Sequence, residues 1–263
     1  MIDVVGVRSL RDQLAPPVQS YTVGGVKISA VDRQRGLEEF FRLVSDHVGG
    51  YVTATSAHGI VEAQSDHHLR SIIDGARMTL PDGMPISFIG KLKAGPVERF
   101  SGPDFFQSVM HDPRARGLRH YFYGGNQNST SRLVARVSEL LGHQAVAGWY
   151  CPPIRAVGEP EQLSVIADIG ATSPDVIWVG LSTPKQEYWM AKHTAYFPMS
   201  MLVGIGAAFD FFAGVRSRAP SIVRRTGFEW LFRLGTEPIR LWPRYKQVVP
   251  KMLRILLAEV MHR

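Results

Sequence analysis

A single cysteine, Cys151, stands among 263 residues, so no intrachain disulfide can form. That scarcity fits a reducing, cytosolic setting. Long apolar runs are missing: stretches such as MLVGIGAAF before Asp210 fall far short of the roughly 20 residues that cross a bilayer. The start, MIDVVGVRSL, has no basic stretch leading into an apolar one, so no signal peptide is expected. There is no D-x-D, and a metal-bridged nucleotide-sugar site would lack its usual carboxylate pair. H-E-x-x-H is absent, and the adjacent His67 and His68 cannot share a helix face. GKLKAG is not a phosphate-binding loop, and TATSAHG is not a nucleophile elbow. Neither a metal nor a cofactor is expected. Internal repeats and low-complexity tracts are also lacking.

What is present is an ordinary globular composition, 45% hydrophobic and 20% charged, with a lopsided charge distribution. Net charge is +7. From Val215 to Arg263 there are 11 Lys+Arg against 3 Asp+Glu, a net of +8; the other 214 residues hold 19 and 20, a net of −1. Such a basic tail suits a nucleic acid or an anionic membrane. Helix-turn-helix, zinc and RNA-recognition signatures are all missing, so no nucleic-acid partner is expected.

Along the chain, YTVGGVKIS reads as a hairpin with a Gly-Gly turn, and DRQRGLEEFFRLVSDHV as a helix capped by Asp32. Strands are predicted at GYVTATSA, ARMTLP, RHYFYGG, QAVAGWY, PDVIWVGLS and MSMLVGIGAAF. Helices are predicted at HGIVEAQSDHHLRSIIDG, PDFFQSVMHDP, QNSTSRLVARVSELLG, EQLSVIADIGAT and PKQEYWMAKHTAY. The alternation argues for βαβ units and a mostly parallel sheet, an α/β fold with its ligand crevice outside the carboxyl ends of the strands. In the tail, apolar residues recur with helical period from Leu241 to Val260, interleaved with Arg244, Lys246, Lys251 and Arg254. That pattern fits a helix lying in a membrane interface, or one packed on the core with a solvated basic face. Pro243 and Pro250 should break or kink it.

Several residues suit chemistry at that crevice. Asp82 follows strand-like residues and precedes Gly83; at a strand's end it can act as general base towards a hydroxyl, although the spacing alone favours a plain Asp-Gly turn. Thr53 and Thr55 share one side of a strand, where their hydroxyls can bind a sugar or phosphate or simply do strand work. Arg99 in GPVERFSGPD can hold a diphosphate bidentately. Gly124 and Gly125 join a strand to a helix start whose free N–H groups can cradle an anion. The pattern is not G-x-G-x-x-G, which counts against a nicotinamide site. Gln186 follows Pro184 in a helix's first turn, placed to bond a uracil or a sugar. Asp210 interrupts an apolar run and calls for a partner such as Arg216 or Arg218.

Taken in order, LPDGMP, ERFSGPDFF, YFYGG, PDVIWVGLSTPKQEYWM, VGIGAAFDFFAGVRSRAP and FEWLFRLGTEPIRLWPRY resemble the WecG/TagA/CpsF family of bacterial glycosyltransferases, over about Val26 to Tyr245. The resemblance implies a Rossmann-like core over 1–214 and a basic helical appendage over 215–263 that targets the membrane and completes the active site. It implies inverting, metal-independent transfer from a UDP-sugar to a polyprenyl-diphosphate-linked sugar, on the cytoplasmic face of the cell membrane. Self-association into a homo-oligomer is compatible with it. Asp82 matches the family's proposed base, and Thr53, Arg99 and Gln186 match pocket residues. Arg233 and Arg240 match appendage arginines that offset charge on the departing UDP. Two positions depart from the family: its T-x-N is Thr53-Ala54-Thr55 here, and a position often basic is Pro243, with Arg244 beside it.

Overall fold

Six short apolar runs form one parallel sheet. The computed structural model describes residues 18–153, 161–220, 223, 226 and 229–261. An antiparallel hairpin, β1 (Ser20–Val23) and β2 (Val26–Ser29), comes first. Its two-residue turn needs positive φ twice, and Gly24 (56°) and Gly25 (73°) supply it. Then follow α1 (Arg33–Ser45), β3 (Gly50–Thr55), α2 (Ala57–Glu62), α3 (His67–Asp74), β4 (Met78–Pro81), α4 (Met84–Ala94) and α5 (Gly102–His111). Next come β5 (His120–Gly124), α6 (Gln127–Leu141), β6 (Val146–Tyr150), α7 (Leu163–Ala171), β7 (Val176–Gly180), α8 (Lys185–His193) and β8 (Met201–Gly204). The chain ends with α9 (Ala208–Phe212), α10 (Glu229–Thr236) and α11 (Pro238–Met261).

Strand order in the sheet is β4-β3-β8-β7-β5-β6, with every pairing parallel. Both faces are covered except along the half-buried edge strand β6, which is why most of these strands read as near-continuous apolar runs rather than alternating ones. Along β7 the side chains still divide by twos. Val176 and Trp178 join the core under α1, α5 and α6, while Ile177 and Val179 join Trp189, Met190 and Ile169 on the opposite face. A third core lies under the hairpin, where Ile60, Leu69, Ile86, Val248 and Met252 meet. After β4 the chain leaves one edge for β5 on the far side, and β7 and β8 later fill the gap. The order therefore reverses around β3 and β8, the place where such sheets hold ligands.

Three expectations change. The predicted helix after β3 is two, because Asp66 accepts from the Leu69 amide at 2.9 Å and starts a new helix. The run MPISFIGKLKA, for which no helix was expected, is α4; its proline sits in the first turn, where a missing N–H costs nothing. The tail helix α11 runs 24 residues through Pro243 and Pro250 without being broken into pieces, held down by buried Leu241, Val248 and Met252. Among the described residues no helix is long and apolar enough to cross a membrane.

Candidate active site

A cavity of about 430 Å³ opens outside the carboxyl ends of β3, β4 and β8, roofed by α10 and α11. Asp82 borders it. The Asp82 amide donates to the Thr55 carbonyl at 3.1 Å, extending the β4-to-β3 ladder by one residue, and Gly83, at φ 134°, then turns the chain into α4. Strand register and a glycine turn thus fix the half-buried carboxylate at the cavity wall. Burial pushes its pKa from the usual 3.8 up to about 6, Arg99 pulls it back, and Glu229 and Asp104 add to the rise. Such a carboxylate is ionised at neutral pH and still basic enough to accept a proton.

Arg99 does not stand alone. It donates to Glu229 at 2.5 Å and lies 3.8 Å from Asp104. Asp104, buried, also takes Arg218 at 2.9 Å and the Ser101 hydroxyl at 2.6 Å. Loop arginines usually stay solvated, but this one is held by acids from α5 and from α10, 130 residues away. Arg233 and Arg244 border the same cavity, as does His58, whose pKa burial lowers, aided by Arg244.

Gln186 borders the cavity floor with its amide fixed at both ends. Its oxygen accepts from the Gly206 amide at 2.9 Å and its nitrogen donates to Glu187 Oε1 at 3.0 Å. The Thr183 hydroxyl donates to the same Glu187 oxygen at 3.0 Å. Glu187, although it stands in the first turn of α8, is 1% exposed. Burial raises its pKa, which favours the neutral acid.

Asp82, Arg99, Gln186 and Arg233 are brought together around one cavity. Thr53 and Thr55 are not. Both are buried, Thr53 Oγ1 bonding Thr79 Oγ1 at 3.3 Å and Thr55 Oγ1 lying 3.5 Å from Thr53 Oγ1, while Ala54 between them borders the cavity. Gly124 and Gly125 lie at the end of β5, two strands from β8. A Cβ on Gly124 would fall 2.7 Å from the Gly180 carbonyl, so packing requires this glycine. The helix start beyond it carries its own capping box of Asn126 and Ser129, which takes up two of the N–H groups an anion could use. The side chain of Arg240 lies outside the described residues. Asp210 is half-buried, and the two arginines named as its partners pair elsewhere: Arg216 with Glu237 and Arg218 with Asp104. Only Asp210's backbone carbonyl meets Arg216, through the Arg216 amide at 3.1 Å.

Asp104, Arg218, Glu229 and Glu187 were not singled out from sequence as site residues. One signal was there for Asp104: Ser101-Gly-Pro-Asp104 is an S-x-x-D start to a helix, with the Ser101 side chain capping the Asp104 amide. No group of three or more His, Cys, Asp or Glu that could hold a metal ion occurs among the described residues.

A buried-edge carboxylate facing several arginines can take a proton while an anion is held. Comparison with known proteins gives that chemistry a class. The family model described as "Glycosyl transferase WecG/TagA/CpsF family" matches residues 21–263. The N-acetylglucosaminyldiphosphoundecaprenol N-acetyl-beta-D-mannosaminyltransferase of Bacillus spizizenii (strain ATCC 23059 / NRRL B-14472 / W23) is 30% identical over 210 residues, 80% of this chain and 79% of that one. A protein of the same description from Bacillus subtilis (strain 168) is 24% identical over 218 residues, 82% of each chain. The family match runs through the hairpin, the sheet, the cavity and the last helix alike, and on that footing this chain belongs to the WecG/TagA/CpsF family and is a glycosyltransferase.

Proposed function

We propose that the chain moves a sugar from a UDP-sugar to a polyprenyl-diphosphate-linked sugar, with inversion and without a metal ion, in the synthesis of a cell-surface polysaccharide. The observation that carries this reading is Asp82: a carboxylate at a strand end, with a pKa near 6, on the wall of a cavity that arginines surround. Asp82 takes the proton of the acceptor hydroxyl as that oxygen attacks the anomeric carbon from the face opposite UDP. The C–O bond to UDP breaks, and its electron pair leaves on the diphosphate. Arg99, Arg233 and Arg244 stabilise the charge that develops there more than they stabilise bound substrate. With cations fixed in place, no bridging metal is required.

The reading divides the chain into a core over 1–214 and an appendage over 215–263. Glu229, Arg233, Arg244 and Val248 from the second part border the same cavity as Asp82 and Gln186 from the first, so the appendage completes the site. Its outward residues, among them Trp242, Leu253 and Leu257, together with Lys246 and Arg254, suit a lipid surface. The enzyme then works as a peripheral protein at the cytoplasmic face, where lipid-linked acceptors lie. The relatives' names make N-acetylmannosamine the first donor sugar to try and N-acetylglucosaminyl-diphosphoundecaprenol the first acceptor.

The test is a donor screen with that acceptor, run with and without EDTA, with Asp82→Asn as control. Product from one donor, untouched by EDTA, inverted at the anomeric carbon and lost in the variant, is the expected result. Full turnover by Asp82→Asn would remove the base, and loss with EDTA would remove metal independence.

A further inference from the structure

Two apolar side chains on α4 face outward although the helix belongs to the α/β core. Met84 is 37% exposed and Phe88 55%. They lie four residues apart on one helix face, and the exposed Lys91 continues that face three residues on. The inner face is packed, with Ile86 and Ile89 buried under the hairpin. Beside α4 runs α11. Met84 and Leu253 border the same cavity, and further along both helices Lys93 pairs with Glu259. Two helices that line one cavity at Met84 and Leu253 and pair further along through Lys93 and Glu259 lie side by side, pointing the same way. From α11, Leu253 (55% exposed) and Leu257 (63%) also turn outward four residues apart, with exposed Lys251 and Arg254 next to them.

We propose that this two-helix face seats the enzyme on an anionic phospholipid bilayer, with Phe88 of the core inserted beside Leu257 of α11. The inference rests on the membrane reading above and extends it from the last helices to the core itself. Charge complementarity selects the partner. Helix α4 carries Lys91 and Lys93 and no acid; the neighbouring part of α11 carries Lys251 and Arg254, and its one acid, Glu259, is occupied by Lys93 and the Gly24 amide. Apolar chains flanked by lysine and arginine enter the acyl boundary while the cationic heads stay level with the phosphates. A second copy of the chain would set these like charges against each other, which disfavours self-contact through this face. Because Met84 and Leu253 belong both to the face and to the cavity wall, face and cavity share a rim. An acceptor held by its polyprenyl tail then presents its sugar to Asp82 without leaving the bilayer.

Vesicle flotation tests this, using the full chain and either pure phosphatidylcholine or phosphatidylcholine doped with phosphatidylglycerol. Phe88→Glu should lower partition into the anionic vesicles by about tenfold or more, the scale set by moving a Phe side chain out of an apolar setting. Phe88→Leu should keep most of the binding. Phe88 does not border the cavity, so turnover of a water-soluble acceptor analogue and the melting temperature should hold. If Phe88→Glu melts low, Lys91→Glu replaces it and should weaken binding to the anionic vesicles alone. Leu257→Glu separates the two claims. Loss in both variants supports the inference; loss in Leu257→Glu with none in Phe88→Glu overturns it and leaves attachment to α11. No loss in either would refute the membrane reading as a whole. A wild-type dimer in solution that Phe88→Glu splits into monomers would overturn the proposal in favour of a self-contact.

Discussion

Replacing Asp82 by Asn should destroy activity and, at neutral pH, raise stability. Burial lifts the Asp82 pKa from 3.8 to about 6. A carboxyl whose folded pKa is raised stabilises the fold fully below its unfolded pKa, and that contribution is lost as pH rises through the folded value. Above pH 6 the wild type therefore carries an ionised group in an unfavourable place. The shift of about 2 units corresponds to at most ~3 kcal/mol. Asp82 is half-buried against a cavity that admits water, so ~1–2 kcal/mol is the realistic gain from Asn. For a domain near this size each kcal/mol is worth roughly 2–4 °C in Tm. The variant should melt about 2–8 °C higher at pH 7.5, and the gain should shrink towards zero as the pH falls to the unfolded carboxyl range.

Activity should move the other way. Loss of a general base costs about 10²- to 10⁴-fold in rate. In the wild type, kcat should rise about tenfold from pH 5 to pH 7 as a group of pKa near 6 ionises. Differential scanning fluorimetry across pH 4.5–8, paired with a UDP-release assay, reads both effects on one preparation. An Asp82→Asn protein that melts lower than wild type at pH 7.5 would refute the burial argument. A variant that keeps its rate would refute the base.

Three further outcomes follow from the same geometry. Glu229→Gln removes a negative charge that raises the Asp82 pKa and releases Arg99, so the acid limb of the kcat profile should move to lower pH; a limb that stays put would detach the tail from the base. Glu187→Gln should leave the donor KM within about threefold, because burial favours the neutral acid that Gln mimics, whereas Glu187→Leu strips the Gln186 amide of its acceptor and should raise donor KM roughly tenfold, as expected for ~1–3 kcal/mol. In a Gln186→Ala background the Leu change should add little to that KM; full additivity would deny the coupling. Deleting residues 215–263 should abolish turnover even of a soluble acceptor, since Glu229 and Arg233 leave the cavity wall with them; retained activity would confine the appendage to targeting.

Sequence reading served best where the physics is local. The strands of the parallel sheet were legible because strands buried on both faces are unbroken apolar runs between turn residues. Helix α4 escaped because its apolar residues ring the whole helix and a proline stands in its first turn. The place of Asp82 at the crevice was legible because Pro-Asp-Gly directly follows a strand, but that pattern alone reads first as a turn, and its reading as a base came from the family resemblance. Thr53 and Thr55 show the limit of the two-residue period. It says that they share a face but not which face, and the ladder with Thr79 turns both away while Ala54 meets the cavity.

The charges that set the behaviour of Asp82 were illegible for a different reason. Asp104 and Arg99 are near in sequence, but Glu229 and Arg233 come from 147 and 151 residues further along the chain, and nothing in their local pattern announces that they meet Asp82. From composition the tail is only a basic segment. Folded back over the sheet, it contributes one acid and at least two arginines to the cavity, with opposite effects. Glu229 raises the Asp82 pKa and grips Arg99; Arg233 lowers that pKa. A carboxylate with a pKa of about 6 is therefore a property of the closed arrangement. With the tail lifted away, Arg99 would lose its closest acid and Asp82 would meet more water, and both changes lower its pKa. Titrating Asp82 by NMR in the full chain and in a 1–214 fragment that remains folded should give the higher value in the full chain. Equal values would mean that β4 and Arg99 alone set the basicity of the site.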